Sequence, residues 1–297
     1  MVGQSALSRQ RRRSAWLFLI PALTVMGATA GWPLLRTFWF AFTDASIEQP
    51  EVAFVGLENF RALVDDPDWW RAVWNTFRYA LISVTLETVL GMIIALALNA
   101  QFRGRGVLRA AVLVPWAIPT IVSARLWSWM LHDVYGVIND LLLRVHLISE
   151  PLAWTAEPGL SLAAVILVDV WKTTPFMTLL LLAALQLVPN EVYEAARLDG
   201  AGPVRTFFSL TLPIVRGPLM VAVIFRMLDA LRAFDLFYVL TNNSADVMSM
   251  AVYARQRMAE FGELGYSSAA ASLLFLLIAA FTVAYLAVGR VSLDPEA

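Results

Sequence analysis

Six apolar stretches, each about as long as a bilayer requires, constrain this chain more than any other feature: residues 16–42, 74–99, 108–131, 160–186, 212–240 and 264–289. A helix needs about 20 mostly apolar residues to cross the hydrocarbon core. With 59% hydrophobic and 15% charged residues, against roughly 45–50% and 25% in soluble domains, the chain holds more apolar surface than a soluble core absorbs. The expected fold class is an all-α integral membrane protein with six transmembrane helices.

Six spans place both termini on one side, and the arginines say which. The tail before Trp16 holds four (Arg9, Arg11, Arg12, Arg13), the 101–109 loop three, the 187–217 segment three, and Arg290 follows the last span; the opposite loops hold five, Arg61, Arg71, Arg144, Arg255 and Arg257. Eleven against five directs the first set, and both termini, to the cytoplasm. The organisation is then a basic tail at 1–15, a first span at 16–42, an external loop at 43–73, a core at 74–290 with five further spans, and a cytoplasmic tail at 291–297. Four arginines, an apolar run and Ala28-Thr29-Ala30 imitate a cleavable secretory signal. The apolar pattern nevertheless continues through Trp32 to Phe42, so the stretch is read as a retained span.

In the external loop, Phe54, Leu57, Phe60 and Leu63 recur every third residue and predict a short amphipathic helix. Trp69, Trp70 and Trp74 fall where an aromatic belt meets the headgroups. Tyr135-Gly136-Val137-Ile138-Asn139, ahead of Leu141, Leu142 and Leu143, reads as a turn entering an interfacial helix.

Several functions are excluded. The absence of cysteine removes thiolate metal sites and thiol nucleophiles, and a net charge of −1 gives nucleic acid no electrostatic hold. Neither His132 nor His146 has a ligand set nearby, so no metal site is expected. The sole lysine, Lys172, follows Trp171 and not a glycine-rich loop, so the chain cannot cradle nucleotide phosphates in the usual way.

The informative polar segment separates the fourth and fifth spans, from Leu187 to Pro203. Pro189 and Asn190 can start a helix, Val192, Ala195 and Ala196 share one face of it, and Gly200 suits a left-handed C-terminal cap. Gly202 and Pro203 can start a second helix through Phe207 and Phe208. The small residues Ala195, Ala196, Gly200 and Ala201 would admit a close partner, with Glu194, Arg197 and Asp199 at the rim. The run Glu194-Ala195-Ala196, two residues, Asp199-Gly200-Ala201, then Phe207 and Leu212-Pro213 resembles the EAA loop of the membrane subunits of bacterial ATP-binding-cassette importers. Further stretches resemble the sugar branch of that family, the maltose and glycerol-phosphate type: Gly104-Arg105-Gly106, Pro115 through Pro119, Tyr135 through Asn139, Trp171 ahead of Pro175-Phe176, and Phe234-Asp235 through Leu240-Thr241. The likeness runs from about residue 14 to 290 and extends to the first permease subunit of actinobacterial trehalose importers.

The resemblance implies a type I importer permease fold in which the loop at 187–211 forms a coupling helix. ATPase coupling would fall to Glu194, Ala195, Ala196, Asp199, Gly200 and Ala201. It also implies the partners: a second similar permease, two ATP-binding subunits that hold the ATP and magnesium, and an external sugar-binding protein. This chain itself would carry no cofactor and catalyse no reaction.

Charges inside spans cost roughly 2.5–3.5 kcal/mol each near the bilayer centre, so Glu87, Arg125, Asp169 and Lys172 need partners, as do the four charges of span five. Arg226, Asp229, Arg232 and Asp235 alternate in sign every third residue, which allows pairing along one helix. They read either as an ion ladder fixing helix packing or, for Asp229, Arg232 and Asp235, as part of a sugar pathway. In the sugar-permease relatives this span contributes to the substrate cavity. Trp127 and Trp171, with Trp129, are the aromatic candidates to stack on a sugar ring, and Glu87 is expected to pair with Arg125. A disaccharide such as trehalose or maltose is favoured over glycerol phosphate, because no concentrated basic pocket is evident. An ion-coupled transporter would instead use Glu87, Asp169, Asp229 and Asp235 as ion sites, but the EAA-like loop speaks against it. A membrane enzyme lacks a convincing catalytic set.

Overall fold

Apolar runs of this length can satisfy their backbone in lipid by forming helices, and helices account for nearly all of the regular structure. In a computed structural model of the protein, residues 6–49, 51–241, 244 and 246–289 are described. Arg290 and the tail at 291–297 lie outside the described residues, as do the first five. The only strand pairing among the described residues is an isolated bridge between Thr43 and Phe54. Among the described residues, five helices are long and apolar enough to cross a membrane, or six if one sharply bent pair counts as a span. The chain packs as two units, Met1–Asp65 with Ala254–Leu273, and Asp66–Tyr253 with Leu274–Ala297.

In the first unit, α1 (Ala6–Met26) and α2 (Trp32–Phe40) are joined by a π-helical turn, Gly27–Gly31. None of the most apolar window of this span is buried, yet Thr24, Thr29 and Thr37 donate to the carbonyls four residues back at 2.8, 2.8 and 3.0 Å. The hydroxyls thereby enter lipid already satisfied. Helix α3 (Glu58–Asp65) is the short amphipathic helix expected after the first span, with Leu63 buried. Phe54 precedes that helix and stacks on Trp39 and Phe42 at 6.0 and 6.5 Å. Its bridge to Thr43 removes it from the helical stripe that the spacing suggested. Asn59 Nδ2 donates to the carbonyls of Ala41 and Thr43 at 3.0 and 2.8 Å, fastening α3 to the end of the first span.

The second unit is built on α4 (Pro67–Asn99) and α8 (Pro158–Leu185). Asp66 caps α4 by accepting from the Asp68 N–H at 2.8 Å, and Pro67 occupies the first turn, where no N–H is needed. At the other end, Arg109 donates to the Leu98 carbonyl at 3.0 Å. Helix α8 is the interior element, with 67% of its spanning window buried. Gly91 lets α4 come close to it: a Cβ there would lie 2.9 Å from Met177 Cγ and 3.2 Å from the Thr178 nitrogen. Trp69, expected in an aromatic belt, is 1% exposed and packs edge-on against Tyr253 at 5.5 Å. It lies on the inward face of α4, whereas Trp70 and Trp74 are exposed.

Two of the expected spans are broken. The stretch 108–131 forms α5 (Arg105–Ala117) and α6 (Thr120–Met130), which meet at 89°. Pro119 has no N–H and drives Ile118 to extended backbone, φ −76° and ψ 133°. The carbonyls exposed by the break are met from α8, where Lys172 Nζ donates to Ile118 O at 2.8 Å and approaches Trp116 O at 3.5 Å. Lys172→Met should therefore leave part-buried acceptors unpaired at a cost of about 1 kcal/mol, read as a lower temperature of half-loss of monodisperse detergent-solubilised protein.

Short helix α7 (Val137–Arg144) follows the Tyr135–Asn139 turn. Asn139, 3% exposed, staples it to the next loop: its amide donates to Leu152 O at 2.9 Å and its oxygen accepts from Trp154 Nε1 at 2.8 Å. After α8 come α9 (Asn190–Leu198) and α10 (Pro203–Thr206), and a second π turn (Phe207–Thr211) leads into α11 (Leu212–Leu231). Span five thus runs from Pro203 to Leu231 and not over 212–240. The helix stops at Arg232 and Phe234 (φ −124°, ψ −60°) and restarts as α12 (Asp235–Leu240). Helices α13 (Met250–Ala259) and α14 (Leu264–Gly289) are the last helices among the described residues.

Candidate functional site

The polar residues that the spans bury converge on one guanidinium. Arg226 of α11 is 2% exposed, Glu87 of α4 0% and Asp169 of α8 3%. Arg226 Nε lies 2.6 Å from Glu87 Oε2 and its Nη2 lies 3.0 Å from Oε1, a two-pronged pair that holds α11 to α4. The same Nη2 also donates to Asp169 Oδ2, drawing in α8. Thr173 Oγ1 stands 2.6 Å from Glu87 Oε1 and 2.7 Å from the Asp169 carbonyl, and donates its one proton to either. Two buried carboxylates share one guanidinium, so the cation is the keystone of the cluster.

This arrangement corrects the pairing of Glu87 with Arg125. The break at Pro119 turns α6 away, and Arg125 is exposed on it, while Glu87 faces α8 and α11. The span-five ladder exists in part. Arg226 Nη1 is 3.6 Å from Asp229 Oδ2, and Arg232 Nη2 is 3.3 Å from Asp229 Oδ1. Asp235 lies beyond the helix break and begins α12 instead, where a carboxylate complements the helix N-terminus.

Beside the cluster lies a cavity of about 290 Å³, walled by Tyr79, Trp116, Thr120, Asp169, Lys172 and Thr173, and by Arg226, Asp229, Arg232, Phe234 and Asp235 from the end of span five. Three of the proposed pathway residues, Asp229, Arg232 and Asp235, are therefore at its wall. Trp127 and Trp171 are not; they pack edge to face on each other at 5.4 Å, and the buried Trp127 indole N–H has no hydrogen-bond partner among the described residues. The indole at the wall is Trp116, stacked on Phe176 at 5.7 Å, and it arrives there through the Pro119 break. Sequence reasoning passed over Trp116, Tyr79 and Thr120. The lone Lys172 beside a proline-interrupted span was the available signal.

The second feature is the elbow at α9. Helix α9 ends in a Schellman cap: Ala201 N–H donates to Ala196 O at 2.9 Å and Gly200 N–H to Arg197 O at 3.1 Å, with Gly200 at φ +70°. Glu194, Ala195, Arg197, Leu198 and Asp199 are exposed, Leu198 at 89%, and Val204 beyond the turn at 70%. Ala196 is 4% exposed. Its small side chain serves the seating of α9 on the chain itself, and the surface open to another molecule is that of Glu194, Ala195, Arg197, Leu198, Asp199 and Gly200.

The family described as "Binding-protein-dependent transport system inner membrane component" matches residues 87–291. The trehalose/maltose transport system permease protein of Thermococcus litoralis is 41% identical over 292 residues, covering 98% of each chain. The trehalose transport system permease protein of Mycobacterium tuberculosis is 36% identical over 269 residues, covering 90% of this chain and 86% of that one. The sulfoquinovosyl glycerol transport system permease protein of Agrobacterium fabrum is 37% identical over 282 residues, covering 94% and 91%. In fold, the chain is similar to one in a bacterial ABC transporter involved in import of the acidic polysaccharide alginate, with a TM-score of 0.83 at 20% identity over 98% of this chain and 100% of that one. The matched profile and the extent of these identities make this chain a member of the binding-protein-dependent transport system inner membrane component family, the membrane permeases of ABC importers.

Proposed function

We propose that the chain is the permease subunit of an ATP-driven, binding-protein-dependent importer of a disaccharide such as trehalose or maltose. It forms half of the translocation path beside a second, similar permease. Two ATP-binding subunits supply the energy, hold ATP and magnesium, and grip the elbow at Glu194, Ala195, Asp199, Gly200 and Ala201, with exposed Leu198 beside them and Ala196 seating the helix beneath. An external binding protein delivers the sugar, and both termini are cytoplasmic.

The cavity carries this reading. Sugar hydroxyls need donors and acceptors in one place, with an aromatic face for the ring, and Thr120, Asp229, Asp235 and Trp116 offer that within apolar spans. Charge argues against an anionic substrate. At the wall Lys172, Arg226 and Arg232 are balanced by Asp169, Asp229 and Asp235, while Glu87 takes a further share of Arg226 from behind. No surplus cation remains for a phosphate. The trehalose/maltose permease, 41% identical across almost its full length, points the same way. The arginine bias of the loops at 101–109 and 187–217 supports the cytoplasmic placement.

The test is uptake of labelled trehalose, maltose and glycerol 3-phosphate by proteoliposomes holding the assembled transporter. The disaccharide should enter only with ATP and the binding protein. Glu194→Ala with Asp199→Ala should reduce entry at least tenfold and release the ATP-binding subunits. Uptake that follows an imposed proton gradient without ATP would overturn the reading.

A further inference from the structure

The elbow touches span five through a single loose polar contact. Tyr193, on the inner face of α9, places its Oη 3.4 Å from Thr211 Oγ1, at the long limit for a hydroxyl pair. Thr211 is 2% exposed and is the last residue of the π turn. Its hydroxyl also lies 3.5 Å from the Thr206 carbonyl. In that turn the Leu212 N–H reaches back to Phe207 O, one residue further than in an α-helix. Around the contact is a cavity of about 580 Å³ whose wall includes Leu96, Tyr193, Arg197, Phe207 and Thr211. Helix α9 is thus seated beside open space, with this long hydroxyl pair as its polar contact to span five.

The same helix that begins at this contact ends at the buried cluster. From Thr211 the backbone runs helically to Leu231, and Arg226 stands fifteen positions on, about 22 Å away along the axis. Arg226 is clamped to Glu87 and Asp169, so a push or twist delivered at Thr211 arrives where α11 meets α4 and α8. A π turn is a place where a helix takes up or releases one residue of register without breaking, which suits it to absorb a displacement of α9.

Resting on the importer reading above, we infer that Tyr193 and Thr211 are positioning residues of energy coupling: they form the joint through which movement of the α9 elbow reaches the buried end of span five. They touch neither sugar nor nucleotide. The small residues of the elbow admit the ATP-binding subunit from outside, and Tyr193 passes its movement inward.

The decisive quantity is disaccharide imported per ATP hydrolysed, because a contact needed only for folding or attachment would not change that ratio in the complexes that survive. In assembled transporter in proteoliposomes, Tyr193→Ala and Thr211→Val should each lower the ratio at least fivefold, while the ATP-binding subunits still co-purify and basal hydrolysis stays within twofold. The chain has no cysteine, so Tyr193→Cys with Thr211→Cys supply the only two thiols it contributes to the complex. That pair should be uncoupled when free and regain at least half the ratio when bridged by a short bis-methanethiosulfonate. An unchanged ratio in Tyr193→Ala overturns the joint, as does a fall that occurs only with loss of the ATP-binding subunits. If the unmutated complex imports no disaccharide with ATP, the importer reading falls and the joint with it; full coupling in Tyr193→Ala beside a working unmutated complex defeats the joint alone.

Discussion

Replacing Arg226 by methionine should destabilise the protein by about 3–5 kcal/mol, because it leaves two buried carboxylates facing each other without their shared cation. Glu87 and Asp169 are 0% and 3% exposed, so Glu87 in particular has no water with which to recover its lost solvation. In detergent, the temperature at which half the protein leaves the monodisperse peak should fall by roughly 10 °C, taking 2–4 °C per kcal/mol for a domain of this order of size. The diagnostic comparison is the neutral triple variant Arg226→Met, Glu87→Gln and Asp169→Asn. Removing a whole buried ion set is often nearly neutral, whereas removing one member is not, so the triple variant should recover most of the loss. If Arg226→Met melts like the parent, the cluster does not hold α11 to α4 and α8.

The second large effect is expected at Gly91. A Cβ at this position already falls 2.9 Å from Met177 Cγ and 3.2 Å from the backbone nitrogen of Thr178. Met177 Cβ, also 3.2 Å away, and the α8 backbone are fixed by the helix and must give by a few tenths of an ångström even for alanine. Gly91→Ala should therefore cost about 1 kcal/mol, while Gly91→Leu must pry α4 from α8 and should cost about 3 kcal/mol, the two ends of the range for overpacking. Because Glu87 lies one turn before Gly91 on α4, separation of the helices there also strains the Arg226 cluster. Gly91→Leu should lose sugar transport as well as thermal stability, and Gly91→Ala should retain transport. Equal melting of the two variants would show that the helices are not in close contact at this point.

Much of the fold is legible because its signals are local. Apolar runs report the spans, since each must bury or bathe about twenty residues in hydrocarbon. The α9 elbow is legible down to its cap: Asn190 starts the helix and Gly200 takes the left-handed conformation that ends it. The fate of the prolines is not legible in the same way. Pro115, Pro175 and Pro218 all lie inside continuous helices, whereas Pro119 produces an 89° break. All four lack an N–H. At Pro119 the carbonyls of Trp116 and Ile118 are met by Lys172 from a helix more than fifty residues away in the chain, and no local pattern reports that partner.

The charges divide along the same line. Sequence alone requires that Glu87, Asp169, Arg226 and their neighbours find partners, because a bare charge in the bilayer is too costly. It pairs Glu87 with Arg125, and the three-residue spacing suggests one ladder through Asp235. Tertiary structure assigns Arg226 to Glu87 and Asp169 by bringing α4, α8 and α11 together, and it ends the ladder by stopping α11 at Leu231. By itself, then, the sequence determined the fold class, most of the spans and the helical elbow at α9, since these follow from hydrophobicity and from residues a few positions apart. Which charges pair, which indole reaches the cavity and where a span breaks depend on side chains meeting from distant helices, and only the packed structure decides them.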